Sequence, residues 1–416
     1  MGDVLGADLP VRVEAWDGSS IGPVGAPATL FLRSPAALQR IVTCPGELGL
    51  ARAYVAGDID VEGDIFAVLA LRDRLPDVRL GPTHLVAAAR LLGVRSLKPL
   101  PPPPEEVQLR GRRHTKARDA AAISHHYDAG NRFYERVLGP SLTYSCAVFE
   151  TDGATLEDAQ AAKHELVCRK LGLQPGDRLL DVGCGWGSMA MHAARHHGAQ
   201  VVGVTISSRQ VEAAKQRVAD EGFGDLVDIR LQDYRDVDDG PFDAISSIGM
   251  FEHVGRSRMT EYFGRLHALL RPQGRLLNHA ISRPPADHTA IASRSFIGRY
   301  VFPDGELLDV GTTVQALEEV GFEARHMEDL REHYARTLRH WVANLEREWD
   351  ATVADVGVAR ARVWRLYMAA SAVNFEADRN RIHQVLAVKP ALGGDAGMPA
   401  RPTWEREPLA DPTLAR

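Results

Sequence analysis

The run Leu179-Leu180-Asp181-Val182-Gly183-Cys184-Gly185-Trp186-Gly187-Ser188-Met189 holds the residues with the plainest chemical purpose. An apolar strand pattern leads into glycine at every second position, and a helical pattern follows from Met189 to about His197. Glycines there let backbone N–H groups approach a ligand closely, with a helix N-terminus behind them. The arrangement suits a nucleotide-like ligand, although a dinucleotide or a simple tight turn would use the same spacing. Further on, Thr205, Ser207 and Gln210 close the strand pattern 201–205 where many nucleotide-binding sheets carry an acid. Such groups can hydrogen-bond ribose hydroxyls, or serve only as turn and N-cap residues. Gln232-Asp233-Tyr234 follow the pattern 227–231, where Asp233 either accepts an adenine amino hydrogen or closes a surface turn. Glu252 and His253 emerge beyond 242–248, at the strand edge where open α/β sheets place their ligands.

The elements that must position these groups follow from periodicity. Strand-like runs at 178–182, 201–205, 227–231, 242–248 and 274–281 alternate with helical patterns such as Arg209–Glu221 and Arg258–Leu270. That alternation predicts an α/β fold with a doubly wound, mostly parallel sheet. Ahead of it, Val11–Trp16 and Ala28–Leu32 read as strands, and Ser34-Pro35 opens a helix. Helical spacing is expected from Gly46 to about Leu71, across Gly57-Asp58-Ile59-Asp60, and again from His84 to Leu92. The prolines of Lys98–Glu106, four of them consecutive, make a stiff extended connector. Arg110, Arg112, Arg113, His114, Lys116 and Arg118 follow as a solvated linker face or as a patch for anionic lipid. The expected division is 1–95, a linker at 96–122, a catalytic domain at 123–390 and a poorly ordered tail at 391–416.

Composition sets the outer limits. A net charge of −6 and the lack of a basic, aromatic-interleaved stripe speak against a nucleic-acid partner. Cys44, Cys146, Cys168 and Cys184 form no Cys-x-x-Cys, so a reducing compartment is expected and a structural zinc is not. No signal peptide and no apolar run of about 18 residues is visible, so membrane contact is expected to be peripheral.

Asp181-Val182-Gly183-x-Gly185-x-Gly187 resembles motif I of class I S-adenosylmethionine-dependent methyltransferases. The segments His126–Tyr134, Leu142–Phe149, Met250–Gly255, Arg299–Gly305 and His333–Trp341 extend the likeness over about 120–390. Together they resemble the cyclopropane-fatty-acyl-phospholipid synthases and their relatives, the mycolic acid cyclopropane synthases and other lipid C-methyltransferases. The first 95 residues resemble more loosely the small α+β lipid-binding domain of the phospholipid-acting members.

The resemblance implies that S-adenosylmethionine donates a methyl group to the cis double bond of a phospholipid acyl chain. Tyr144, Ser145, Asp181, Gly183, Gly185, Gly187, Thr205, Ser207, Gln210, Gln232, Asp233 and Tyr234 would bind this donor. It also implies a bound bicarbonate that removes a proton so that a ring closes. Cys146, Glu252, His279, the backbone of Ile281 and Tyr334 would hold that ion. Tyr144, Phe149, Tyr300, Phe302 and Tyr334 are aromatic enough to face a carbocation, and equally suited to a core. Loss of a different proton would yield a methylene branch for a partner reductase instead. A non-catalytic lipid- or donor-binding protein is the remaining alternative, which the presence of Glu252, His279 and Tyr334 disfavours. A homodimer at the cytoplasmic face of the inner membrane completes the family-based expectation.

Overall fold

In a computed structural model of the chain, the residues described are 9–74, 93, 98–107, 118, 129–285, 295–303 and 305–404. They fall into two compact units that the sequence interleaves. One draws on Met1–Gly139, Thr289–Leu307 and Tyr334–Asn380, the other on Pro140–His288, Leu308–His333 and Arg381–Arg416. A linear division near residue 122 therefore differs from the fold, because two later segments belong to the first unit. The helical pattern His84–Leu92 and the basic cluster, apart from Arg118, lie outside the described residues.

The first unit carries a four-stranded sheet of β1 (Arg12–Ala15), β2 (Ser20–Ile21), β3 (Ala28–Leu32) and β4 (Ile59–Gly63), in the order β2-β1-β3-β4. The helix opened by Ser34-Pro35 runs Pro35–Thr43, with the Ser34 hydroxyl accepting from the Ala36 N–H at 3.2 Å. The helical spacing expected across Gly57–Asp60 is overturned. The helix is Glu47–Val55, and Ile59–Gly63 is a strand in which buried Ile59 and Val61 alternate with the less buried Asp60 and Glu62. Pairing with β3, Leu30 opposite Val61, outweighs the local pattern. The connector is anchored as well as stiff, since buried Glu106 receives Arg52 at 2.7 Å and the Tyr300 hydroxyl at 3.4 Å. Helix Val358–Glu376 contributes Arg365, which donates to the Tyr54 hydroxyl at 3.1 Å and to the Val61 carbonyl at 3.3 Å.

The second unit is built on seven strands: β5 (Arg178–Val182), β6 (Gln200–Thr205), β7 (Val227–Leu231), β8 (Phe242–Ile248), β9 (Leu270–Ser282), β10 (Glu323–Asp329) and β11 (Arg381–Val388). Their order is β10-β11-β9-β8-β5-β6-β7. From β7 through β9 the pairs are parallel, and β11 is antiparallel to both its neighbours. One face packs Leu179, Ala244, Leu277 and Leu386 under helices Leu156–Leu171, Ser188–His197 and Ser208–Asp220. The other packs Leu180, Ile245, Leu276 and Val385 under helices Met259–Leu269 and Val310–Glu319. This is the class I S-adenosylmethionine-dependent methyltransferase fold, a doubly wound, mostly parallel α/β sheet. Among the described residues no helix is long and apolar enough to cross a membrane.

Composition suggests a loose tail from residue 391, yet Met398 and Trp404 pack against the sheet's first face. The Trp404 carbonyl also accepts from Arg169 at 3.1 Å. Met398 and Trp404 anchor this part of the expected tail, and residues 405–416 lie outside the described residues.

Gly203 of β6 lies opposite Asp181, and a Cβ there would sit 2.8 Å from Ile229 Cδ1 and 3.0 Å from Cys184 Cβ. Gly203→Ala is therefore expected to lower stability by about 1–3 kcal/mol through overpacking. Chemical denaturation beside the wild-type protein measures this, and an unchanged midpoint would contradict it.

Candidate functional site

The glycine turn begins where β5 ends. Gly183, Gly185 and Gly187 have φ of 78°, 57° and 82°, a region in which other side chains are strained. The Gly183 and Cys184 N–H groups donate to the Val204 carbonyl at 2.9 and 3.1 Å, tying the turn to β6. Gly187 then hands over to helix Ser188–His197. Asp181 is buried at the mouth of the turn, with Oδ1 accepting from the Ser246 hydroxyl at 2.6 Å. Its Oδ2 has no partner among the described residues. Burial pushes its pKa up to about 6, against the opposing pull of the Ser246 hydrogen bond and the Lys163 charge.

The neighbouring strand ends carry most of the other residues expected to bind the donor. The Thr205 hydroxyl donates to Gln210 Oε1 at 2.9 Å, and Ser207 is the N-cap of helix Ser208–Asp220. The Gln232 N–H donates to the Thr205 carbonyl at 3.1 Å, so the β6 and β7 ends adjoin. Tyr234 packs edge-on to Tyr262 at 4.8 Å. Asp233 is held by its neighbour Arg235. Its Oδ1 accepts from Arg235 Nε at 2.8 Å and its Oδ2 from Arg235 Nη2 at 2.6 Å, so any further acceptance uses the remaining lone pairs. Half-buried Tyr144 precedes Ser145, whose hydroxyl accepts from Lys163 Nζ at 3.0 Å.

Glu252 stands on the short turn Phe251–His253 after β8. Its Oε1 accepts from the Ile281 N–H at 2.8 Å, while Oε2 is buried without a partner among the described residues. Burial pushes its pKa up to about 7, although the Ile281 N–H pulls the other way. His279 is buried on β9, with Nδ1 3.1 Å from Gln384 Nε2 and with Nε2 unpartnered among the described residues. Burial, then the Lys163 and Lys170 charges, hold its pKa well below the ordinary value, so the imidazole is neutral. The buried Cys146 thiol donates to the Ala147 carbonyl at 3.2 Å, with the Leu330 carbonyl at 3.7 Å. Burial pushes its pKa up, which makes it a thiol and a poor nucleophile.

Of the five expected anion ligands, Cys146, Glu252, His279 and Ile281 belong to the second unit. The Ile281 amide is already engaged by Glu252. Tyr334 belongs to the first unit, where it packs on Phe375 at 4.7 Å and Trp341 at 6.0 Å. Tyr300 and Phe302 pack there on Phe296 and Tyr367, as core aromatics do. Two buried polar atoms left without partners, one on Glu252 and one on His279, fit a small oxyanion.

Sequence reasoning missed the buried polar groups beneath this cluster. Lys163 has its pKa lowered to about 7 by burial, and Lys170 and Gln384 are buried with it. A lysine on a largely buried helical stretch was the available signal. A second cluster, Cys168, His192 and His197, brings ligand-type atoms within 4.8 Å of one another. There Glu165 already engages both imidazoles, at 3.3 and 3.1 Å.

Comparison with known proteins bears on this geometry. Residues 114–385 match the family described as mycolic acid cyclopropane synthetase. The chain is 48% identical over 407 residues to a probable fatty acid methyltransferase of Mycobacterium tuberculosis, covering 95% of each. It is 34% identical over 362 residues to the cyclopropane-fatty-acyl-phospholipid synthase of Escherichia coli, covering 87% of this chain and 88% of that one. Among solved structures, a mycolic acid cyclopropane synthase complexed with SAH and CTAB superposes with a TM-score of 0.61 at 33% identity. That match covers 64% of this chain and 97% of the other.

The Glu252 carboxyl is more protonated in the folded than in the unfolded chain, so its burial costs stability as pH rises from about 4.5 to about 7. Glu252→Gln is expected to raise the unfolding temperature at about pH 8, by the equivalent of a few kcal/mol, with the gain vanishing toward about pH 5. Thermal unfolding of both proteins across that range checks the sign. A gain independent of pH would contradict it.

Proposed function

The chain belongs to the mycolic acid cyclopropane synthetase family and is an S-adenosylmethionine-dependent lipid methyltransferase, and from that premise we propose that it methylates the cis double bond of an unsaturated phospholipid acyl chain and closes a cyclopropane ring. The observation that carries the reading is the pair of buried, unpartnered atoms, Glu252 Oε2 and His279 Nε2. An alkene is a weak nucleophile, so the donor must be a sulfonium held in line with it, and positioning supplies much of the rate. The glycine turn, Asp181 and the cluster of Thr205, Ser207 and Gln210 hold that donor, with Tyr144, Ser145, Gln232, Asp233 and Tyr234 around it. Methyl addition leaves a carbocation with no heteroatom to stabilise it, and water must be kept away.

A proton then has to leave a carbon that is acidic only in the cation. Bicarbonate, when bound, supplies a small base suited to an apolar tunnel. Cys146, Glu252 and His279 would hold it, with the Ile281 N–H fixing the Glu252 carboxyl. Glu252, with a pKa of about 7, can offer a proton to an oxyanion oxygen or accept one from it near neutral pH. The neutral ring of His279 can orient such an ion without competing for its charge.

A second reading shares the first step. The M. tuberculosis relative at 48% identity is named for methyl transfer and not for ring formation. If a 1,2-hydride shift first moves the charge onto the methyl-bearing carbon, loss of a proton from the methyl group gives a methylene branch instead, which a partner reductase converts to a methyl branch. In either case the substrate reaches the enzyme by peripheral contact with an anionic membrane surface. The assembly we propose is a homodimer at the cytoplasmic face.

The test is incubation of the full chain with S-adenosylmethionine, bicarbonate and vesicles of a cis-monounsaturated phospholipid. The expected product gains one CH2, loses the alkene signal and shows cyclopropane protons by NMR. An exomethylene signal would establish the second reading. No gain on phospholipid would contradict both.

A further inference from the structure

Glu328, Gln384 and His279 are direct cross-strand partners on β10, β11 and β9. Side chains of residues paired in this way project to the same face of a sheet. Helix Leu156–Leu171 lays Lys170 over that row. The buried Lys170 ammonium pairs with the Glu328 carboxylate and donates to Gln384 Oε1 at 2.7 Å. An ammonium has no lone pair, so the Gln384 amide can meet it only through its carbonyl oxygen. The amide NH2 is thereby turned toward His279, with Nε2 3.1 Å from the ring Nδ1. An NH2 group offers only hydrogens, so Nδ1 must accept.

We propose that Lys170 and Gln384 are positioning residues that lock His279 in its neutral Nε2–H tautomer, so that the unpartnered Nε2 presents a donor to an oxyanion. Charge around the row supports this. Lys170 is matched by Glu328, which opposes the lowering of the lysine pKa by burial. The charges of Lys163 and Lys170, with burial, disfavour an imidazolium at His279. Lys170 is separated from Glu328 by 158 residues and from Gln384 by 214; strand register sets Glu328 beside Gln384, and the packed helix brings Lys170 to both. The opposite tautomer would aim a lone pair at the oxyanion and repel it. That catalytic consequence rests on the function proposed above, whereas the tautomer itself does not.

The experiment is a two-bond proton–nitrogen NMR correlation on the full chain labelled with ¹⁵N-histidine, with His279 identified by its loss in His279→Gln. The neutral Nε2–H pattern is expected near neutral pH, and an Nδ1–H ring or an imidazolium would overturn the proposal. In Gln384→Glu the new carboxylate still meets Lys170 but can only accept from His279. That variant is expected to move the ring proton to Nδ1 and to lower kcat at least about tenfold, with the KM for S-adenosylmethionine changed less than about twofold. An unchanged tautomer and rate would also overturn it. Should the variant not fold, the wild-type spectrum decides. A wild-type protein with the expected tautomer that methylates no unsaturated phospholipid would refute the proposed function and leave the tautomer assignment standing.

Discussion

In the second unit, β11 enters the sheet in reverse between β9 and β10, and the chemistry of this face depends on that pairing. It sets Gln384 beside His279 and Glu328 beside Gln384, on the face that also carries Leu277 and Leu386. A buried polar group without a partner costs about 1–3 kcal/mol, and a buried charge stripped of its partner about 3–5 kcal/mol. Lys170 meets both demands at once through Glu328 and Gln384. Asp181 Oδ2, Glu252 Oε2 and His279 Nε2 are among the buried side-chain atoms with no partner among the described residues.

The same exclusion of water brings the acid–base groups toward neutrality. Glu252 and Asp181 are pushed up to about 7 and about 6, and Lys163 is drawn down to about 7, each mainly by burial. Such groups change protonation at little cost near physiological pH, which general acid–base chemistry requires. Burial raises the pKa of the Cys146 thiol as well, in its case away from neutrality, which disfavours the thiolate. The carbocation route proposed above calls for a dry site, a fixed sulfonium and a small base.

Much of the frame was legible in the sequence. Strands 178–182, 227–231 and 242–248 have the limits that periodicity suggests, and Ser34-Pro35 opens its helix as expected. Local pattern suffices where apolar alternation, glycine and caps agree. It fails at Ile59–Gly63, where pairing with β3 overrides helical spacing, and at β10 and β11, where Glu328, His383 and Gln384 interrupt the apolar signal. Trp404 fixes a segment whose neighbours suggest looseness. Strand-end position suggests Asp233 and Glu252 as candidates and the family resemblance suggests His279, but the Arg235 clamp and the Lys170–Gln384 support are not legible there. Both supports are properties of side-chain geometry or strand register, which residue type and spacing do not encode.

The central claim is that a base held at Glu252 and His279 takes its proton from the transferred methyl group. The most direct measurement supplies S-adenosylmethionine with a trideuterated methyl group and weighs the lipid product. The account predicts that two of the three deuteriums are retained, because the carbon that arrives must lose one hydrogen to become a ring or exocyclic methylene carbon. Retention of all three would contradict it, since the proton would then have left the acyl chain.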